Sequence, residues 1–148
     1  MKKHRILILV IAMIVVWFGE IRSFYCIEGN RCVTVWKTYN NTCYIIPGKY
    51  YGVVKPSKRP YIETTNIAMM TLIWDEKSDT IVVNSSKSKI SNIASNKVYI
   101  IDYNSNARVY DSLYTYFDGY VKKINHDIHY MNIMIKENYA TDKDGNKL

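Results

Sequence analysis

Glycine is scarce, and its scarcity removes whole classes of chemistry. The chain has 6 glycines in 148 residues, and none of them forms the phosphate-cradling run that nucleotide-binding loops require. Histidines are equally few. Only His126 and His129 lie near one another, and no third ligand is suggested beside them, so no metal and no cofactor is expected. No serine sits in a glycine-flanked strand-to-helix turn, and the adjacent carboxylates, Asp75 with Glu76 and Asp142 with Asp144, fall in segments that read as solvated loops. No catalytic residue is therefore nominated. Long apolar runs are also missing, apart from one near the start, and no internal repeat is visible.

Positive charge is present without being concentrated. The formal charge is +7, but Lys2, Lys3 and Arg5 precede the apolar run, and setting them aside leaves 17 basic residues against 13 acidic. The surplus is scattered through Lys37, Lys49, Lys55, Lys58, Arg59, Lys87, Lys89, Lys97, Lys122 and Lys123. Nucleic-acid binders gather charge on one face because affinity comes from neutralising consecutive phosphates, so no nucleic-acid partner is expected.

The apolar run covers residues 6–18, from Ile6 through Leu9 and Met13 to Trp17 and Phe18, after Lys2, Lys3, His4 and Arg5. A basic cluster, an apolar block and a polar flank, in that order, make up the secretory pattern. As a helix the run is roughly 20 Å long, short of the ~30 Å hydrocarbon core of a bilayer. Bulky and charged residues after Phe18 suit signal cleavage poorly. Residues 1–25 are therefore expected to be a signal peptide or a single-pass anchor. In either case the positive flank keeps the N-terminus cytoplasmic and places the rest outside, in the periplasm or beyond.

Three cysteines then face an oxidising compartment. Gly29 and Asn30, both tolerant of positive φ, centre a tight turn between Cys26 and Cys32 and bring them opposite each other. Under a two-residue turn at Asn40 and Asn41, Thr38 faces Cys43, which leaves Cys43 some 20 Å along the strand from Cys32, beyond disulfide reach. The expected bond is Cys26–Cys32.

Residues 26–139 read as an α+β domain, mainly antiparallel β. Six to seven short strands are expected, over 31–39, 42–46, 49–54, 67–74, 80–84, 97–103 and 128–135, with a polar loop at 85–95. Over 107–124, Val109, Leu113, Phe117, Tyr120 and Ile124 recur at helical spacing, predicting one amphipathic helix in the C-terminal half, with a hairpin turning at Asp118 and Gly119 as the alternative. Residues 140–148 read as a flexible polar tail.

What stands out is tyrosine, 14 against 3 phenylalanines. One small core cannot hide them all, and exposed tyrosines favour contact surfaces, with Tyr114 and Tyr120 among the candidates. The sequence thus points to a non-enzymatic exported or membrane-attached domain that binds a protein or a cell-envelope component. Its rivals are an envelope hydrolase built around His126 or His129, and a small accessory subunit of a membrane complex.

Overall fold

The computed structural model describes residues 2–28, 31–52, 54–75, 80–85, 88–93, 98–102 and 128–148. Helix α1 covers Lys2–Ile21, and strand β1 begins at the next residue, covering Arg22–Ile27. The remaining strands are β2 Arg31–Lys37, β3 Thr42–Pro47, β4 Tyr61–Thr65, β5 Met69–Asp75, β6 Thr80–Asn84, β7 Lys89–Ser91, β8 Tyr99–Asp102, β9 Ile128–Met134 and β10 Tyr139–Thr141. They form two five-stranded sheets, ordered β1-β2-β3-β4-β7 and β10-β9-β5-β6-β8. Neighbouring strands run antiparallel except β6 and β8, which are parallel.

Period-two alternation explains the packing. Val33 and Val35 of β2, Cys43 and Ile45 of β3, and Ile62 of β4 turn inward from the first sheet; Met70, Leu72 and Trp74 of β5 and Met131 and Ile133 of β9 meet them from the second. All belong to one buried cluster, so the sheets share a single sandwich core.

Several expectations are corrected. The α+β layout gives way to a mostly β one: the described residues hold ten strands and one helix, and that helix is N-terminal. The helix expected over 107–124, with Tyr114 and Tyr120, lies outside the described residues, as does His126. Among the described residues no helix is long and apolar enough to cross a membrane, which corrects the expected apolar anchor at the N-terminus. The reason is visible in α1, whose twenty residues include Lys2, Lys3, Arg5 and Glu20 and leave only 6–19 as an uncharged stretch.

The turn after β2 is longer than two residues. Lys37, not Thr38, faces Cys43, because Asn41 takes a positive φ of 62° and Thr38 closes the loop by donating its backbone N–H to Thr42 O at 2.8 Å. The shift of one residue decides that Cys43 faces the core and Tyr44 the outside. Residues 49–54 are not a strand; the chain instead crosses the sheet as a loop and re-enters it at Tyr61. Within the expected polar loop, Lys89–Ser91 forms β7 on Tyr61–Glu63. The polar tail is also partly paired: Tyr139–Thr141 joins β9, and Leu148 returns to donate its N–H to Ala140 O at 2.9 Å.

Candidate functional site

The strands that send Val33, Val35, Ile45 and Ile62 inward must turn the alternate residues outward. One cross-strand row on that outer face reads Arg22, Trp36, Tyr44, Glu63, each facing the next in register. Tyr61 lies two residues from Glu63 on β4, and its ring meets Tyr44 edge-on at 5.7 Å. Trp36 and Tyr44 are 5.5 Å apart. Aromatic pairs at such spacings add about 0.5–1.5 kcal/mol each beyond burial.

Residues 48–60 form a strap over this row. Gly48, with φ of 78°, starts the crossing. The strap's backbone groups are satisfied by side chains of the sheet instead of a ladder, which is why it is not a strand. Thr34, fully buried, accepts the Tyr50 N–H at 2.8 Å and donates to Gly48 O at 2.8 Å. Arg22, also buried, donates from Nη1 to Tyr50 O at 3.0 Å and from Nη2 to Gly52 O. Its guanidinium lies 4.1 Å over the Trp36 ring. Burial pulls the Arg22 pKa below its ordinary value, opposed by Tyr50; a guanidinium keeps its charge regardless. Tyr50 donates its O–H to Val54 O at 2.6 Å, and the Tyr51 ring sits 5.2 Å from Phe24.

The outer surface of the strap is basic. Lys49, Lys55, Lys58 and Arg59 are exposed, and residues 48–60 contain no carboxylate. Lys55 pairs with Glu63 at 2.9 Å and stands 4.8 Å over Tyr61. Hydrogen bonds to Glu63 and Tyr61 raise its pKa, so it stays charged. Arg59 lies 5.9 Å from the Tyr50 ring and donates to Lys49 O at 3.3 Å. Tyr51 and Val54 complete the surface, 64% and 68% exposed.

A second region is a cavity of about 350 Å³ at one end of the sandwich, where Glu28, His129, Asp142 and Asp144 meet beside Cys26 and Tyr130. His129 stands on β9 opposite Trp74. Asp142 is occupied by its own turn: Oδ1 accepts the N–H groups of Asp144 at 2.9 Å and Asn146 at 2.8 Å, and Oδ2 accepts from Asn146 Nδ2 at 2.9 Å. Those bonds, led by the Asn146 side chain, hold its carboxyl below the usual range. Tyr130 donates to Lys143 O at 2.8 Å, and burial, together with the charges of Asp144 and Asp142, pushes its pKa up. Among the described residues no three His, Cys, Asp or Glu groups are set to hold a metal.

The disulfide Cys26–Cys32 is formed, across directly paired positions of β1 and β2 with Cα atoms 4.0 Å apart. Such a bond indicates an oxidising, exported setting. Cys43 is a buried free thiol whose pKa burial raises to about 12.

Sequence reasoning had noted the charges of 55–60 and the tyrosine surplus. It missed Arg22, which sat within the expected leader, and it missed the strap. The prolines at 47, 56 and 60, with Gly48 and Gly52, were the available signal for it. Comparison with protein-family profiles, with curated proteins and with solved structures returned no significant match.

Proposed function

We propose that this chain is an exported, non-enzymatic binding domain whose contact surface is the strap and whose partner is a component of the cell envelope. The observation that carries this reading is the strap itself, with four exposed cations, no carboxylate, and Tyr51 and Val54 facing solvent. Its backbone is held by Arg22 and Thr34, so the surface is preorganised and loses little freedom on contact. Aromatic residues and arginine concentrate at such surfaces. The Cys26–Cys32 disulfide supports export.

The test is co-sedimentation of the full chain with an isolated envelope fraction. The triple variant Tyr51→Ser, Lys58→Gln, Arg59→Gln should sediment about tenfold less while melting at the same temperature. Equal sedimentation of variant and parent would refute the reading.

The envelope-hydrolase reading has one observation in its favour, that His129, Glu28, Asp142 and Asp144 all line the cavity. Among the described residues no serine or threonine lines that cavity, and the one cysteine that does is in the disulfide. Only acid–base activation of water remains there. Hydrolysis lost on His129→Ala and on Glu28→Gln alike would establish that reading in place of ours.

A further inference from the structure

Two of the strap's cations are already engaged. Lys55 is paired with Glu63 at 2.9 Å, and Lys58 has interactions of its own. Lys49 and Arg59 are left for a partner: the Lys49 ammonium meets no group among the described residues, and Arg59 commits one N–H to Lys49 O at 3.3 Å. That bond ties Arg59 to the residue bearing the other cation. Both are exposed, and residues 48–60 contain no carboxylate to oppose them.

The arrangement is also held in place. Pro56 and Pro60 are buried on either side of the exposed residues 57–59, which pins the arc that carries Arg59. Its guanidinium lies 5.9 Å from the Tyr50 ring, whose O–H is bound to Val54 O at 2.6 Å. The guanidinium's remaining N–H groups form a planar fork, the shape that takes a carboxylate or phosphate in two parallel bonds. An anion is therefore the chemistry this part of the strap suits.

Tyr51 bears on what carries the anion. Its ring leans on Phe24, with centroids 5.2 Å apart and planes tilted by 37°, yet the residue is 64% exposed. Two residues from Lys49, then, an aromatic ring is supported on one side and open on another. A fixed face of negative π density accepts the C–H face of a sugar ring, whose hydrogens are slightly positive. An acidic peptide would be held by adding a strand, but the backbone groups of Tyr50 and Gly52 are already bonded to Arg22 and Thr34. A fluid headgroup layer gives a fixed ring nothing to stack on.

Resting on the binding reading above, we infer that the envelope component is an acidic glycan, with Arg59 and Lys49 on its anionic groups and the Tyr51 ring on a neighbouring sugar.

The experiment uses the full chain and the envelope fraction after three treatments. Periodate, which cleaves the vicinal diols of sugars, should abolish co-sedimentation. Extraction of lipid with chloroform–methanol, or digestion of the fraction with a protease that is then removed, should leave it. Soluble polygalacturonate should compete at concentrations about tenfold below those needed for dextran, which lacks the charge, or polyglutamate, which lacks the sugar. Lys49→Gln with Arg59→Gln should weaken polygalacturonate binding about tenfold. Tyr51→Ser should weaken it about fivefold, and Tyr51→Phe should not. A control with the same charge loss elsewhere, Lys136→Gln with Lys147→Gln, should bind as the parent does. Sedimentation that survives periodate or is lost on lipid extraction or proteolysis overturns the inference, as does equal competition by polygalacturonate and polyglutamate, or equal weakening in strap variant and control. If the strap substitutions abolish sedimentation with the envelope fraction while polygalacturonate does not bind, the glycan assignment fails alone and the partner is of another class. If they change neither measurement, the binding reading fails with it.

Discussion

On the strap, the cations are exposed while Arg22 and Thr34 secure the backbone beneath them. At the cavity the arrangement is reversed: Asp142 is drawn into its own turn and Tyr130 is tied to Lys143. One region keeps its charged groups outward on a frame fixed by buried residues; the other uses a charged group to build the frame. The difference separates the surface proposed for a partner from a concavity in which Asp142 and Tyr130 serve the fold. A cavity with a histidine and carboxylates is not by that fact a reactive one.

Breaking the strap's frame should have the largest effect. Arg22→Ala removes two charge-assisted hydrogen bonds and the contact over Trp36, and should cost about 3 kcal/mol in urea unfolding. Trypsin should then cut the native chain at Lys55, Lys58 or Arg59 much faster than it cuts the parent. Strap cleavage unchanged by the substitution would mean that Arg22 does not secure it.

Next in size is the cavity's covalent edge. Replacing Cys26 and Cys32 with serine opens a short loop and should cost about 2 kcal/mol, with little change in envelope sedimentation. Loss of sedimentation at full folding would couple the two regions, which the comparison above keeps apart.

Asp142 supplies a smaller effect and a sign. Its folded pKa lies below the ordinary carboxylate value, so its contribution to stability is complete above that ordinary value and disappears as pH falls through the depressed one. Asp142→Ala should lower stability slightly at neutral pH and converge with the parent in acid, below about pH 4. Carboxyl titration by NMR should place Asp142 below the ordinary aspartate value.

Cys43 should show no effect while the protein is folded. With its thiol raised to about 12 by burial, it should resist alkylation at pH 8 until denaturant is added, because the thiolate is the reactive form. Rapid native labelling would mean that the core around β3 opens.

Much of the β architecture was legible beforehand. Thr80–Asn84 matches its expected bounds, and β2, β3, β5, β8 and β9 lie within two residues of theirs. The Cys26–Cys32 bond followed from the turn residues between them. What escaped were segments whose partners lie far away in sequence. Residues 49–54 have strand-like composition, yet their backbone groups bond to Arg22 and Thr34, 28 and 16 residues from Tyr50. Lys89–Ser91 looked polar because only one short ladder, to Tyr61–Glu63, holds it. Of the site residues nominated from sequence, His129 lines the cavity, while Tyr114, Tyr120 and His126 lie outside the described residues.

Local chemistry alone determined the alternation that makes strands, the turn that closes the disulfide, and the apolar block that makes α1, since each depends on neighbours within a few residues. Only the tertiary structure decided which face of the first sheet carries Trp36 and Tyr44, that a strap roofs them, and that Arg22 belongs to the site. The physical reason is register: a single residue at the Asn41 turn exchanges the inner and outer faces of β3, and composition does not encode that choice.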